Sequence, residues 1–583
     1  MLRLMTICGG AWLAVVLFAS GAAFARDQLP PELPAGWIAK SPVTARHDMV
    51  AAANPLAVAA GREMLRAGGS AVDAAVAAQM VLNLVEPQSS GIGGGALMLL
   101  HDGRTGLLTA YDGRETAPAA AKPDRFLDAE GKPLDFYDAV VGGRSVGVPG
   151  TLRMLELAHR RYGRLSWSRL FAPAIALAEQ GFPVSPRLSA AIAGERHMRQ
   201  ARARAYFYHA DGSPLAVGEM LRNPTFAATL KRIATGGADA LYKGAIARDI
   251  VATVRSYAAN PGDLTAADLA AYRAKVREPV CGRYRGYRVC GMPPPSSGGI
   301  TVLQMLGILE SFDLRALGSG STLAWHLFGE AGRLAYADRA VYVGDPEFVA
   351  VPPGLLDPAY LRERAALIRL GASLGSAAAG VPPARRKAAA AGAGAALEFP
   401  STSHLSIVDR YGNAVAMTTT IEDAFGSRLM TESGFLLNNE LTDFSFAPVV
   451  DGKPVANRVE AGKRPRSSMA PTVVYDASGR LFMIVGSPGG SAIINYVAKT
   501  LVGVLDWGLD PQAAIDLPNI GSRNGPTELE RDTSAVALQP KLEALGEETR
   551  VIDENSGLQA IVRTRQGWIG GADPRREGVA AGD

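Results

Sequence analysis

The sequence predicts an α/β layered protein, on three observations. Ala-rich apolar stretches of helical length alternate with short strand-like runs. Strands are flanked by helices on both sides along the chain, the pattern of helices packed on sheet. A Gly/Ala-rich stretch from Gly371 to Ala396 then separates a mostly helical part from a part rich in strands. With 583 residues, 48 % of them hydrophobic, the chain can bury one large core or several. Charged residues are 20 % and the formal net charge is +4, without a basic tail or Arg-rich tract, which argues against nucleic acid as a partner.

Residues 1–25 read as a secretory signal. Arg3 gives a positive start, Leu4 to Ser20 is apolar, and Ala23-Phe24-Ala25 fits a processing site. An uncleaved anchor is the alternative. No later run of about 20 apolar residues is present to span a bilayer, so the expected product is exported, to the periplasm or the extracellular space. Cys8 would leave with the signal. Cys281 and Cys290 flank GRYRGYRV, which can form a hairpin that joins them as a disulfide; two free buried thiols are the other reading. The seven histidines are scattered without metal-ligand spacing, and no metal or other cofactor is expected.

Met49 to Val85 reads as helix, with Pro55 near one start, a Gly68-Gly69 stop, a second Ala-rich helix from Ser70 to Leu84, and Pro87 beyond it. Ala96 to Leu100 and Thr105 to Tyr111 read as strands about an Asp102-Gly103 turn. The glycines 91–95 precede a strand instead of opening a helix, so they are no dinucleotide fingerprint, and no Gly-Lys-Ser/Thr makes them a phosphate loop. Arg114 stands just past the second strand, placed equally for a site or for a surface ion pair. Residues 144–273 read as mostly helical, including Thr151 to Arg160, Trp167 to Gln180 and Pro224 to Thr235. Arg277 to Cys290 reads as a strand pair, and the rigid PPPSSGGI loop feeds a helix from Thr301 to Glu310, followed by one from Trp325 to Asp338. The stretch 371–401 has little to bury and is expected to be mobile, an Ala-rich helix being the alternative. Beyond it, Leu405 to Val408, Ala414 to Thr420, Gly434 to Leu437, Thr472 to Tyr475, Leu481 to Val485, Leu558 to Arg563 and Gly567 to Ile569 read as strands, with another near Ile552. Ile493 to Leu505 and Pro511 to Leu517 read as helices.

The chemistry centres on PSTSHLSIVDRYGNAVAMTTT, residues 400–420. A three-residue loop, 410–412, with Gly412 left-handed, pairs Asp409 with Asn413. That register sets Thr402 opposite Thr420, with Thr418 pointing the same way. A four-residue loop would shift it by one. A threonine hydroxyl is a weak nucleophile that needs a base. His404 shares the strand face but is not clearly placed to serve. A free α-amino group on Thr402, with a reference pKa of about 7.7, would serve, and it requires a cut between Ser401 and Thr402. An ordinary Thr-rich strand is the alternative.

These residues, together with ESGFLLNNELTDF, GKRPRSSMAPT, GSPGGS, EPQSSGIGGG, DGRETAP, PPPSSGG and GGADPRREG, resemble the γ-glutamyltransferases, which are N-terminal-nucleophile hydrolases. The resemblance spans nearly the whole chain after the signal. It implies a four-layer αββα sandwich, formed jointly by a large subunit of residues 26–401 and a small one of residues 402–583, cut from one precursor. It implies Thr402 as nucleophile, first on Ser401 and then on a γ-glutamyl amide such as that of glutathione. Water or an amino acid or peptide amine then resolves the acyl-enzyme.

By the same resemblance Thr420 bonds the Thr402 hydroxyl, and the backbone N–H groups of Gly489 and Gly490 form the oxyanion hole, which suits glycines because they allow close backbone approach. Arg114, Ser467 and Ser468 are expected on the substrate carboxylate, and Glu440 and Asp443 on its ammonium. Glu422 departs from the family, where many members have Asn, and is expected to line the acyl pocket. Ser445 to Lys463 resembles a lid loop, expected to be mobile, without the Tyr of some members but with Phe446 nearby. Two other readings stand beside this one. A β-lactam side-chain acylase of the glutaryl type would share Thr402 and the glycines. A secreted amino acid or peptide binder without turnover would leave the Ser401-Thr402 junction unexplained.

Overall fold

Two seven-stranded antiparallel sheets lie face to face in the computed structural model, which describes residues 36–383, 392–394, 398 and 401–583. The expected signal, residues 1–25, lies outside the described residues. One sheet runs in the order Val579–Gly582, Met49–Ala52, Thr402–Val408, Ala414–Thr420, Gly95–His101, Leu108–Gly113, Lys275–Arg277. The other runs Val43–Ala45, Gly567–Ala572, Gln559–Thr564, Leu481–Gly486, Thr472–Tyr475, Tyr287–Gly291, Val280–Tyr284. Helices Pro55–Arg66, Ala71–Val85 and Thr151–Tyr162 cover the outside of the first sheet, and Gly298–Leu309, Ile493–Leu505 and Pro511–Asp516 cover the second. The layers are helix, sheet, sheet, helix, which is the αββα sandwich.

Strand alternation builds the two cores. Ala96, Met98 and Leu100 face the helices, while Leu97 and Leu99 face the other sheet. Both faces are buried, so these strands read as apolar runs and not as alternating ones. The same rule sends Leu405 and Ile407 outward to the helices and Val408 inward to the second sheet. Thr402, His404 and Ser406 therefore share the inward face, and the Ser406 hydroxyl donates to the Gln559 carbonyl across the gap (3.0 Å).

The helices start where their caps require. Ser70 caps Ala71–Val85 in a capping box with Asp73, and Asn54 caps Pro55–Arg66 through the Leu56 N–H (2.9 Å). Cys281 and Cys290 are directly opposite across an antiparallel pair and are bonded as a disulfide.

Three expected elements differ. Met49–Ala52 is a buried strand, not the start of a helix. A run of four apolar residues carries no period of its own, and pairing with Thr402–Val408 decided it. Gly434 to Leu437 is irregular, with only a bridge between Met430 and Leu436. Gly434 takes φ +87° in a turn, and the Asn438 N–H beyond it reaches the Gly93 carbonyl (3.1 Å), so no neighbouring strand is available. Trp167 to Gln180 is a 3-10 turn, Trp167–Phe171, running into the helix Ala172–Gln180. Part of the 371–401 stretch is outside the described residues. The described part leans on the body: the Gly380 N–H donates to Asp338 (2.8 Å) and the Ser373 hydroxyl to Glu330 (2.8 Å).

The strand Thr402–Val408 is paired with Met49–Ala52 on one side and Ala414–Thr420 on the other, and the glycine loop 91–95 packs against the end of that hairpin. A Cβ on Gly94 would lie 2.0 Å from the Thr420 carbonyl oxygen. Gly94→Ala is expected to lower the melting temperature and, by displacing Thr420, to slow any Thr420-dependent step about tenfold or more. Unchanged melting and unchanged rate would contradict that packing.

Candidate active site

The hairpin has the predicted register. Thr402 pairs with Thr420, and Asp409 with Asn413 through an N–H to carbonyl bond of 3.0 Å. Gly412 takes φ +86°. Asp409 fixes the loop by accepting from the Tyr411 and Asn413 N–H groups (both 2.9 Å) and from Ala71 N–H (2.8 Å). A turn tied this tightly leaves the strands no freedom to slip.

At the far end the hydroxyls meet the peptide bond between Ser401 and Thr402. The Thr402 hydroxyl donates to Thr420 Oγ1 (3.2 Å), and the Thr420 hydroxyl donates to the Ser401 carbonyl (2.9 Å). The Glu422 N–H also donates to Thr420 Oγ1 (2.8 Å). Thr420 thus uses its single proton on the Ser401 carbonyl and both lone pairs on donors, the full capacity of a hydroxyl. Around it, Ser401 Oγ donates to the Gln88 carbonyl (2.5 Å), Ser403 Oγ to Glu86 (2.7 Å), and Arg576 to the Thr402 carbonyl (3.1 Å). The arrangement can polarise one carbonyl while holding a hydroxyl beside it.

His404 does not supply the base. Burial pushes its pKa down to about 3, so it is neutral. Its Nδ1 meets the Thr418 hydroxyl (2.8 Å) and its Nε2 the Ser406 hydroxyl (3.1 Å), away from Thr402.

Thr402 and Thr420 open onto a small cavity lined also by Arg114, Glu422, Glu440, Asp443, Ser467, Ser468 and Gly490. Nine of the ten residues expected to act on substrate therefore line it together, and Gly489 adjoins Gly490. Gly489 has φ +134° and Gly490 φ +55°, and a Cβ on Gly489 would strike the Tyr496 ring at 2.5 Å. The two glycines begin the turn into the helix Ile493–Leu505, where N–H groups lack intrahelical acceptors. Ser467 is held by the PPPSSGG loop, since the Ser297 hydroxyl donates to the Ser467 carbonyl (2.7 Å). Glu422 is buried, takes φ +78°, and accepts from the Asn439 side chain. A left-handed glutamate is strained backbone of the kind that marks functional sites.

Arg114 is fully buried and clamps both acids of the 3-10 turn Glu440–Asp443, one through each terminal nitrogen. It also donates to the carbonyls of Pro465 (3.2 Å) and Arg466 (2.7 Å). Burial alone would lower its pKa, but Glu440, Asp443 and Glu115 outweigh burial and hold it above the ordinary value. Burial raises both Glu440 and Asp443 well above the usual carboxylate range despite Arg114. Glu115, also buried, is pushed up to about 8. Three acids around one guanidinium cannot all be ionised cheaply, so this floor holds a proton at neutral pH.

The sequence reading missed Arg339, Glu398, Glu115 and Arg466. Glu398 lines the cavity, its carboxylate pairs with Arg339 and accepts from Ser468 Oγ, and it lies 3.7 Å from Arg466. Burial works against that carboxylate, but Arg339 and Arg466 outweigh it and hold its pKa below the usual range. A signal existed: Glu398 is the one acid between Gly371 and Ser401. The segment expected to be a lid is pinned at its base, where Asn457 Nδ2 donates to the Asp443 carbonyl (2.7 Å) and Phe446 stacks on Phe126 (4.7 Å). Its tip, the hairpin of Val449–Val450 with Lys453–Pro454, is largely exposed.

Outside this cavity, His326, Glu330 and Glu547 lie within reach of one common metal ion. Their atoms are already engaged: His326 meets Glu547 (2.6 Å) and the Arg369 carbonyl (2.8 Å), and Arg333 pairs with Glu330 (2.9 Å) and Glu547 (3.4 Å). An arginine among the carboxylates supplies the charge that a cation would, so the group is an internal ion network.

If Thr420 polarises the scissile carbonyl, Thr420→Val should slow cutting of the chain by about 100-fold or more, and Thr420→Ser should restore most of it. The time course of fragment appearance by mass spectrometry measures this; equal rates for T420V and wild type would refute the role.

A family model described as Gamma-glutamyltranspeptidase matches residues 57–583. The chain is 39 % identical over 594 aligned residues to the glutathione hydrolase proenzyme of Bacillus subtilis (strain 168), covering 100 % of this chain and 99 % of that one. It is 38 % identical over 546 residues to the acylase ACY 1 proenzyme of Pseudomonas sp. (strain V22), covering 91 % and 93 %. Among solved structures, cephalosporin acylase from Bacillus halodurans superposes with a TM-score of 0.81 at 28 % identity, over 94 % of this chain and 97 % of that one. The paired threonines at a peptide bond in an αββα sandwich agree with these matches, and the chain belongs to the gamma-glutamyltranspeptidase family of N-terminal-nucleophile hydrolases.

Proposed function

We propose that this enzyme cuts itself before Thr402 and then acts as a γ-glutamyltransferase and glutathione hydrolase. The observation that carries the reading is the bond chain Thr402–Thr420–Ser401 carbonyl at the mouth of a cavity that holds both acids and arginine. In the cut, the Thr402 hydroxyl oxygen attacks the Ser401 carbonyl carbon. The peptide C–N bond breaks, the nitrogen takes a proton, and water hydrolyses the resulting ester. The products are the large subunit, 26–401 once the signal is removed, and the small subunit, 402–583. Strands from both parts interleave in each sheet, which favours a pair that stays together.

The new α-amino group then supplies the base that His404 does not. It takes the hydroxyl proton as Thr402 attacks the γ-carbonyl carbon of a glutamyl amide, and that proton passes to the leaving amine. Gly489 and Gly490 donate their N–H groups to the oxyanion. Water, or the amine of an amino acid or peptide, attacks the ester and releases the glutamyl group. Ser467 and Ser468 receive the substrate's α-carboxylate with Arg114 near it, and Glu440, Asp443 and Glu422 receive its ammonium. The enzyme works outside the cytoplasm, in the periplasm or the extracellular space.

A second reading keeps the nucleophile and changes the acyl group. Glu422 favours it, because a third acid stands where many relatives have Asn, and relatives named as acylases share the fold. Comparing γ-glutamyl- and glutaryl-p-nitroanilide separates the two, since the compounds differ only in the α-amino group. The main reading predicts kcat/KM at least about 100-fold higher for the γ-glutamyl compound, because a site built for an ammonium rejects its absence. Glu422→Ala should raise KM for that compound and barely alter the glutaryl one. Faster glutaryl turnover would transfer the assignment to the acylase, and unchanged kinetics in E422A would remove Glu422 from the pocket's function.

A further inference from the structure

Arg114 is the cation that family resemblance assigns to the substrate carboxylate, yet four of its five N–H donors are already engaged, by Glu440, Asp443 and two backbone carbonyls. A second buried cation lies behind the cavity, paired with Glu398 of its lining. Arg339 stands near the end of the long helix Thr322–Tyr342. Its Nε donates to Ser297 Oγ (2.7 Å) and one terminal nitrogen to Ser468 Oγ (2.6 Å). Ser297 is itself tied to the Ser467 carbonyl, so the guanidinium is held by the same loop that positions the two serines. Among the described residues, the only carboxylate within ion-pair distance of Arg339 is Glu398.

Glu398 is four residues before the nucleophile, on the segment that the cut would detach from Thr402. Its side chain is buried in the cavity that Thr402 lines, with one oxygen on Arg339 and the other on Ser468. The chain is anchored on both sides of it. On one side the Gly394 N–H donates to the Ala340 carbonyl (3.0 Å) and Gly392 bridges to Val455 of the lid segment. On the other side the Ser401-Thr402 peptide bond is the anchor, and Ser401 is pinned to Gln88. A carboxylate tethered between two fixed points has an effective concentration in the millimolar range or above, enough to exclude a free one of similar affinity.

We infer that Glu398 is an internal stand-in for the substrate, filling the α-carboxylate subsite of the uncut chain, and that Arg339 joins the two serines in receiving that carboxylate in the cut enzyme. The inference rests on the γ-glutamyl reading above. The cut removes one of the two anchors and so the advantage of the tether. Once Glu398 leaves, Arg339 is a buried guanidinium with two hydroxyls and no carboxylate, a state that favours uptake of an anion in the same place. The glutamyl pocket is then self-blocked before cutting and opened by it.

Titration calorimetry with L-glutamate tests this, using Thr402→Ala as the uncut protein. The single variant T402A should bind L-glutamate at least tenfold more weakly than T402A/E398A or T402A/E398Q, each shown folded by its melting curve. In the cut enzyme, Arg339→Lys, which keeps the charge and loses the fork, should raise both the L-glutamate Kd and the KM for γ-glutamyl-p-nitroanilide at least tenfold, with kcat changed less than threefold. Ser468→Ala should shift Kd in the same direction. Equal L-glutamate affinity in T402A and both double variants would overturn the inference, as would a folded R339K with wild-type Kd and KM. A cut wild type that binds L-glutamate beside such results sinks this inference alone. A cut wild type that binds none sinks the γ-glutamyl reading and this inference with it.

Discussion

One hydrogen-bonded contact governs the molecule: the Thr420 hydroxyl between the Thr402 hydroxyl and the Ser401 carbonyl. It exists only because two strands pair in one register, and that register is fixed at the other end of the hairpin by the Asp409–Asn413 turn. A slip of one residue would send Thr402 to the helix-facing core and put Ser403 at the cavity. The surrounding layers serve that placement. Neighbouring strands Met49–Ala52 and Gly95–His101 hold the hairpin from both sides, and the 91–95 loop closes on Thr420 so tightly that a Cβ at Gly94 has no room.

The second constraint is buried charge. Arg114, Glu398, Glu440 and Asp443 line the cavity, and Arg339, Arg466 and Glu115 stand against them from behind, all shielded from solvent. Isolated ions would be prohibitive there, so each is paired, hydrogen-bonded or neutralised. Arg114 holds Glu440 and Asp443 together, Glu115 keeps its proton near neutrality, and Arg339 holds Glu398. Under the proposed function this balance suits a zwitterion: a compound that brings both a carboxylate and an ammonium keeps it, whereas one that brings a single charge disturbs it.

Much of this was legible in the sequence, for physical reasons that differ by element. The hairpin of Thr402–Val408 with Ala414–Thr420 could be read because its turn carries Asp409 and Gly412 at the positions that turn chemistry demands, and a period of two then fixes every facing pair. The helices at 55–66 and 71–85 could be read from Pro55, Ser70 and the Gly68-Gly69 stop. Met49–Ala52 could not, because four buried apolar residues look alike in a strand and in a helix. Nor could the partnership of Arg339 with Glu398, 59 residues apart, because long-range ion pairs leave no local pattern. Arg339 was still a clue of a kind: a charged residue on a helix that buries nearly its whole surface has to be paired with something.

The central claim is that the enzyme's nucleophile is a threonine made N-terminal by its own chemistry. Intact-mass analysis with N-terminal sequencing, on purified wild type beside Thr402→Ala, tests it most directly. The account predicts two wild-type chains, the smaller beginning at Thr402, and a single uncut chain for T402A. An uncut wild type that still turns over a γ-glutamyl amide would contradict it, because the α-amino group proposed as the base for Thr402 would never have been released.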